Sequence, residues 1–119
     1  MGGIRFFGQP LLKSLSPAVM ASQATGGTFD NTRDYYKYTV SREALYEDGQ
    51  GHYLFLMKSR NDFWLEGFVS RKCYVIPLRE NAARVAFEPV ETGEYQISDL
   101  IICRTTKPLR DGGRVYRAQ

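Results

Sequence analysis

The run HYLFLMKS at residues 52–59 constrains the fold more than any other stretch. Read as a strand, it places Tyr53, Phe55 and Met57 on one face and Leu54 and Leu56 on the other, because successive side chains alternate. Both faces are therefore apolar. Such a strand is covered on both sides or belongs to a curled barrel.

The rest of the chain from residue 35 onward is consistent with this. YYKYTVS (35–41) is aromatic and β-branched, and RVAFEPV (84–90) alternates, with Val85 and Phe87 on one face. FWLEGFVSRKCYVIPL (63–78) is a long strand with Gly67 inside it, where a bulge or bend is expected. DLIICRTT (99–106) and GRVYRA (113–118) are two more strands. Turn residues at 47–51, 59–62, 80–82, 91–94 and 108–113 separate them. Closely spaced short strands predict an all-β fold, a small barrel or β-roll of about six strands.

The front of the chain differs. Residues 8–34 are rich in Gly, Ser, Thr, Ala and Pro. Ser16-Pro17 has the form of an N-cap followed by proline at the first helical position, so PAVMASQA (17–24) is predicted as two helical turns ended by Gly26-Gly27. The alternative is a loop linking two strands, the first of them IRFF (4–7). The expected organisation is an irregular segment over 1–34 and a β-roll or barrel over 35–119.

At 119 residues the chain is one domain or a piece of a larger protein, with 43% hydrophobic residues to build a core. Its net charge of +3 is mild, and the charges are interspersed rather than blocked. No run approaches the ~20 apolar residues of a membrane-spanning helix. Cys73 and Cys103 form no disulfide framework or zinc site by themselves, and read as two partly buried free thiols. They pair only if the fold brings their Cα atoms within about 6 Å.

Tests for catalytic and ligand motifs return little. His52 is the only histidine, so any Ser-His-Asp or Cys-His site must use it, yet it stands at a strand end beside a turn. The glycine-flanked acidic pair in YEDGQG (46–51) lacks the alternating oxygen ligands of a calcium loop, and Asp-Gly is a favoured hairpin turn because both residues tolerate positive φ. No phosphate-binding glycine motif is present, and no cofactor is implied. Arg71, Lys72, Arg104, Lys107, Arg110, Arg114 and Arg117 are candidates for a basic patch that binds single-stranded nucleic acid, but thirteen acidic residues dilute the field.

The order of features from residue 39 onward resembles a known family. TVSREALYEDGQGHYLFLM (39–57) has the form of a short VxxxAL, a D/E-G turn and a YVFVV-type strand. After Gly67 comes a basic pair leading into a valine-rich strand, SRKCYVIPL (70–78), and then ENAARVAFEPV (80–90). SDLIICRTTKPLRDGGRVY (98–116) matches a D-x-V-I strand, a polar stretch and L-x-D-G-x-x-V. This order is similar to the membrane-proximal domain of the periplasmic adaptor subunits of bacterial efflux systems, the membrane fusion proteins or HlyD-like secretion proteins. The resemblance covers about two-thirds of the chain. Departures are Ser98-Asp99 where the family has Gly-Asp, Pro77 inside the valine-rich strand, and a front that does not read as the family's preceding barrel domain.

The resemblance implies a non-catalytic role on the outer face of the cytoplasmic membrane. It also implies a transporter permease of ABC or RND type and other adaptor copies as partners, with the isolated chain a monomer or weak dimer. Contact would run through loop residues. The segment 105–113 carries Lys107 and Arg110, and Arg114 follows it; these are the candidate contact residues, opposite acidic side chains or anionic headgroups. Two other classes stay in play: a free-standing barrel that binds nucleic acid or protein, and a small hydrolase or metalloenzyme built on His52.

Overall fold

The computed structural model describes residues 16–29, 33–61 and 66–118. Over these the fold is all-β. Nine strands occur among the described residues: β1 (Ala18–Gln23), β2 (Thr25–Gly27), β3 (Tyr36–Ser41), β4 (Tyr46–Asp48), β5 (Gly51–Asn61), β6 (Glu66–Glu80), β7 (Arg84–Pro89), β8 (Leu100–Thr105) and β9 (Arg114–Arg117). One 3-10 turn, Arg42–Ala44, joins β3 to β4. Strands β1, β8, β5, β6 and β9 close on one another as a five-stranded barrel. Only the β1–β9 contact is parallel; the other four are antiparallel.

The β5–β6 hairpin organises the molecule. Its register runs unbroken from His52↔Val75 to Asn61↔Glu66. The lower half of β6 meets β9 through Phe68↔Val115, while its upper half meets β7 from Val75↔Pro89 to Glu80↔Val85. One strand therefore serves the barrel at one end and a β7-β3-β2 extension at the other.

That arrangement explains the doubly apolar run in β5. Phe55 and Met57 join Val19, Ile102 and Val115, with Phe68 beside them, so every stave of the barrel sends a side chain inward. Leu54 and Leu56 face the opposite way and join Val40, Val75, Val85, Phe87 and Ile101 in a second core against β3 and β7. Ile101 and Ile102 on β8 split between the two cores in the same manner. Each of these large side chains contributes about 1.5–3 kcal/mol by burial. Tyr95 closes the second core, its ring 5.0 Å edge-on to Tyr38. Among the described residues its buried hydroxyl has no partner of ordinary hydrogen-bond geometry, and burial pushes its pKa up to about 12.

Several expectations change. PAVMASQA is not helical: residues 18–23 are β1, a stave of the barrel. A helix would waste the main-chain pairing offered on both sides by β8 and β9, and Val19 is fully buried in the barrel core. Pro17 fits because only its carbonyl is used, accepting from Tyr116 N at 2.9 Å. The barrel thus begins well before Tyr35, and nine strands replace about six. Besides β1, the extra ones are β2 and β4, three residues each and held by backbone pairing rather than by propensity. Gly67 causes no register shift against β5; the irregularity in β6 lies between Pro77 and Arg79, opposite β7. The strand β5 runs through Ser59 and Arg60, where a turn was expected. The acidic-glycine stretch is a hairpin turn, as read, between Asp48 and Gly51, but the positive φ of +136° falls on Gly51. The expected IRFF strand lies outside the described residues.

Candidate functional site

The segment between β8 and β9 folds across one mouth of the barrel. Leu109 packs against the barrel core. Thr106 N donates to the Ala18 carbonyl at 3.0 Å, and Ala18 N returns a bond to Thr106 Oγ1 at 3.0 Å. At the other end, Ser70 is fully buried and pairs in register with Met57, a barrel-core residue. Ser70 Oγ donates to the Arg110 carbonyl at 2.7 Å, Ser70 N donates to the Gly113 carbonyl at 2.9 Å, and Gly112 N donates to the Ser70 carbonyl at 2.7 Å. Lys72 N donates to Asp111 Oδ1 at 3.0 Å. The loop is therefore fixed to β1 and β6 along its length.

This fixing shapes a cleft of about 440 Å³. Lys107, Arg110 and Arg114, the three residues singled out as contact candidates, all line it. Pro17, Leu109 and Val115 supply apolar surface. Gly67 lets the Arg114 guanidinium lie close to β6: a Cβ there would stand 3.1 Å from its terminal nitrogen.

The rest of the predicted basic patch disperses. Arg104 pairs with Glu43 at 3.2 Å, away from the cleft. Arg71 borders a separate hollow with Lys58 and Glu94, and Arg117 is an exposed β9 residue outside the cleft. Lys72 belongs to a second constellation that was not read from the sequence. Its Nζ meets Asp48 Oδ2 at 2.9 Å and lies 4.2 Å from the Tyr53 ring centroid. Tyr74 donates its hydroxyl to the same Asp48 oxygen at 2.7 Å, and Gln50 N donates to Asp48 Oδ1 at 2.8 Å. Hydrogen bonds from Lys72 and Tyr74 hold the Asp48 carboxyl well below the usual carboxylate range, and Asp48 holds Lys72 above its ordinary value. The signal for this group was the strand alternation that puts Lys72 and Tyr74 on one face; its partner in the turn, Asp48, is placed only by the hairpin register.

His52 borders a hollow of about 280 Å³ with Tyr74, Val90, Glu91 and Glu94. Its Nε2 is 3.9 Å from Glu47 Oε2, and among the described residues no serine or cysteine side chain lines the hollow. Cys73 and Cys103 are free; Cys73 is buried, and burial pushes its thiol up to about 11. Among the described residues no group of three His, Cys, Asp or Glu side chains gathers to hold a metal, and no helix is long and apolar enough to cross a membrane.

The fold and cleft define a small closed β-barrel with a pre-shaped basic cleft at one mouth. No protein-family model matches the chain, and searches of curated proteins and of solved structures return no match.

Proposed function

We propose that this chain is a non-catalytic docking module of the kind found as the membrane-proximal domain of export adaptors. On this reading it sits outside the cytoplasmic membrane and holds a transporter permease through the loop between β8 and β9. The observation that carries the reading is that Lys107 and Arg110, on a loop pinned by Ser70, share one cleft with Arg114 at the start of β9. A rigid loop carrying convergent charge suits recognition, because little ordering cost remains at binding.

The stretches that carry the resemblance fall at the ends of strands. The VxxxAL-like stretch ends β3 and forms the 3-10 turn, the D/E-G turn joins β4 to β5, and L-x-D-G-x-x-V enters β9. Placing a photoreactive amino acid at Lys107 in the source cells tests the reading. A covalent adduct with a multi-span permease is expected, and it should disappear when Lys107 and Arg110 are both changed to Glu in a chain with the photoreactive group moved to Pro108. Adducts with nucleic acid, or with soluble proteins alone, would displace the adaptor reading in favour of a free-standing binding module.

A further inference from the structure

The β6–β7 pair buries one face, through Val75, Val85 and Phe87, in the second core. Its other face is apolar where solvent reaches it. Alternation and register put Tyr74, Ile76, Glu88 and Val90 there together: Ile76 stands opposite Glu88, and Val90 N donates to the Tyr74 carbonyl at 3.1 Å. Leu78 follows at the irregularity in β6. Ile76, Leu78 and Val90 are 44%, 45% and 53% exposed, three of the six large apolar side chains that reach solvent among the described residues. Apolar residues exposed singly are ordinary, whereas three on two paired strands mark a contact surface.

This strip runs into the hollow beside His52. Tyr74 and Val90 belong to both, and Glu91 and Glu94 line the hollow with them. Glu88 lies on the strip itself. Among the described residues none of these three carboxylates is in an ion pair, and no Lys or Arg lines the hollow. The chain as a whole carries +3, so the acidic character of this face is local.

We propose that this face receives a basic, apolar segment of a protein partner: a Lys or Arg side chain in the hollow against Glu91 and Glu94, with neighbouring apolar side chains on Val90, Ile76 and Leu78. Charge complementarity selects the occupant. A carboxylate holds a guanidinium or ammonium group by charge-assisted hydrogen bonds, and the apolar strip beside it supplies burial. The volume of about 280 Å³ suits one long side chain. Strand β6 is held between β5 and β7, so the face is formed before binding and costs little to order.

Rival occupants fit less well. Nucleic acid and anionic membrane surfaces carry the same sign as the three glutamates and would be repelled. A second copy docked about a twofold axis would set these glutamates against themselves. Among the described residues, none lines both this hollow and the cleft between β1 and the β8–β9 loop. The proposal therefore stands or falls independently of any permease contact through that loop.

The test uses the whole chain and two fluorescent peptides, one of lysines flanked by leucines and the same peptide with glutamines in place of lysines. The basic peptide should bind at least about tenfold tighter, and Glu91→Gln with Glu94→Gln should remove about tenfold or more of that affinity. Val90→Ser should weaken binding about threefold or more. Glu43→Gln, at a carboxylate paired with Arg104 outside this face, should leave binding unchanged. In the wild-type chain, amide resonances of Ile76, Val90 and Glu94 should shift on adding the basic peptide, while those of Gly112 and Gly113 stay in place. That measurement needs no variant and stands even if the double substitution unfolds. Equal binding of the two peptides, full binding by the Glu91 and Glu94 variant, or unmoved resonances at Ile76 and Val90 would overturn the proposal. So would a sedimenting dimer whose formation alone moves those resonances, which would give the face to a second copy.

Discussion

Ser70 and Arg110, 40 residues apart, are joined by a 2.7 Å hydrogen bond from the serine hydroxyl to the arginine's main-chain carbonyl. Ser70 faces the barrel interior beside Met57, so the bond ties the basic loop to the core itself. The position of Arg110 in the cleft follows from a buried polar contact rather than from surface packing.

Ser70→Ala removes the hydroxyl but leaves the Arg110 carbonyl its bond from Gly113 N at 3.0 Å. The expected loss of stability is therefore modest, about 1 kcal/mol by urea titration. Hydrogen exchange at Gly112 and Gly113 should quicken more than exchange in β5. Uniform quickening across both regions would contradict a local anchor.

Gly112 has φ +82°, a left-handed conformation that side chains resist, so Gly112→Ala should cost about 1–2 kcal/mol. Gly49 supplies the contrast. It occupies the β4–β5 turn, its Cβ position is in open space, and its φ is not positive. Gly49→Ala should therefore change the urea midpoint little, within about 0.5 kcal/mol. Equal costs at the two sites would refute the backbone argument.

Asp48 should give the acid limb of stability its shape. Its folded-state carboxyl is lowered from 3.8 by Lys72 and Tyr74, so the folded chain stays ionised where the unfolded chain takes a proton. The stabilisation is fully present above about pH 4 and is lost as pH falls toward the depressed value. Asp48→Asn should flatten the fall in thermal midpoint between about pH 4 and pH 2. NMR titration should put the wild-type Asp48 midpoint below 3.8. An ordinary midpoint there would remove the argument.

Cys73 is 2% exposed, with its thiol pushed up to about 11 by burial, whereas Cys103 is half-buried near the surface. Iodoacetamide at pH 8 should modify Cys103 first, and Cys73 only as the chain unfolds. Peptide mass spectrometry reads the order directly. Equal labelling in the native state would mean that the second core opens readily.

The strand content was legible where side chains alternate against a core. The double-faced pattern of Leu54–Phe55–Leu56–Met57 required cover on both sides, and two cores supply it. The turn before β5 and the hairpin at Asn81 were visible because their residue types suit turns; Asn81 Oδ1 accepts from both Ala83 N and Arg84 N at 2.8 Å. The front of the chain was misread because Ser16-Pro17 carries a local helix-start signal, while β1 is decided by partners far along the chain, as in Val19↔Thr105 and Gln23↔Leu100.

The candidate site divides in the same way. Sequence alone determined that Lys107, Arg110 and Arg114 cluster around a turn, since chain neighbours stay together on a short loop. It also determined that the chain is β-rich, since period-two alternation is a local property. Only the tertiary structure decided which cations share the cleft and which are drawn elsewhere. Lys72 is claimed by Asp48 and Arg104 by Glu43, through pairings set by hairpin register and barrel closure. Barrel closure itself brings β1 between β8 and β9, and no local pattern encodes that contact.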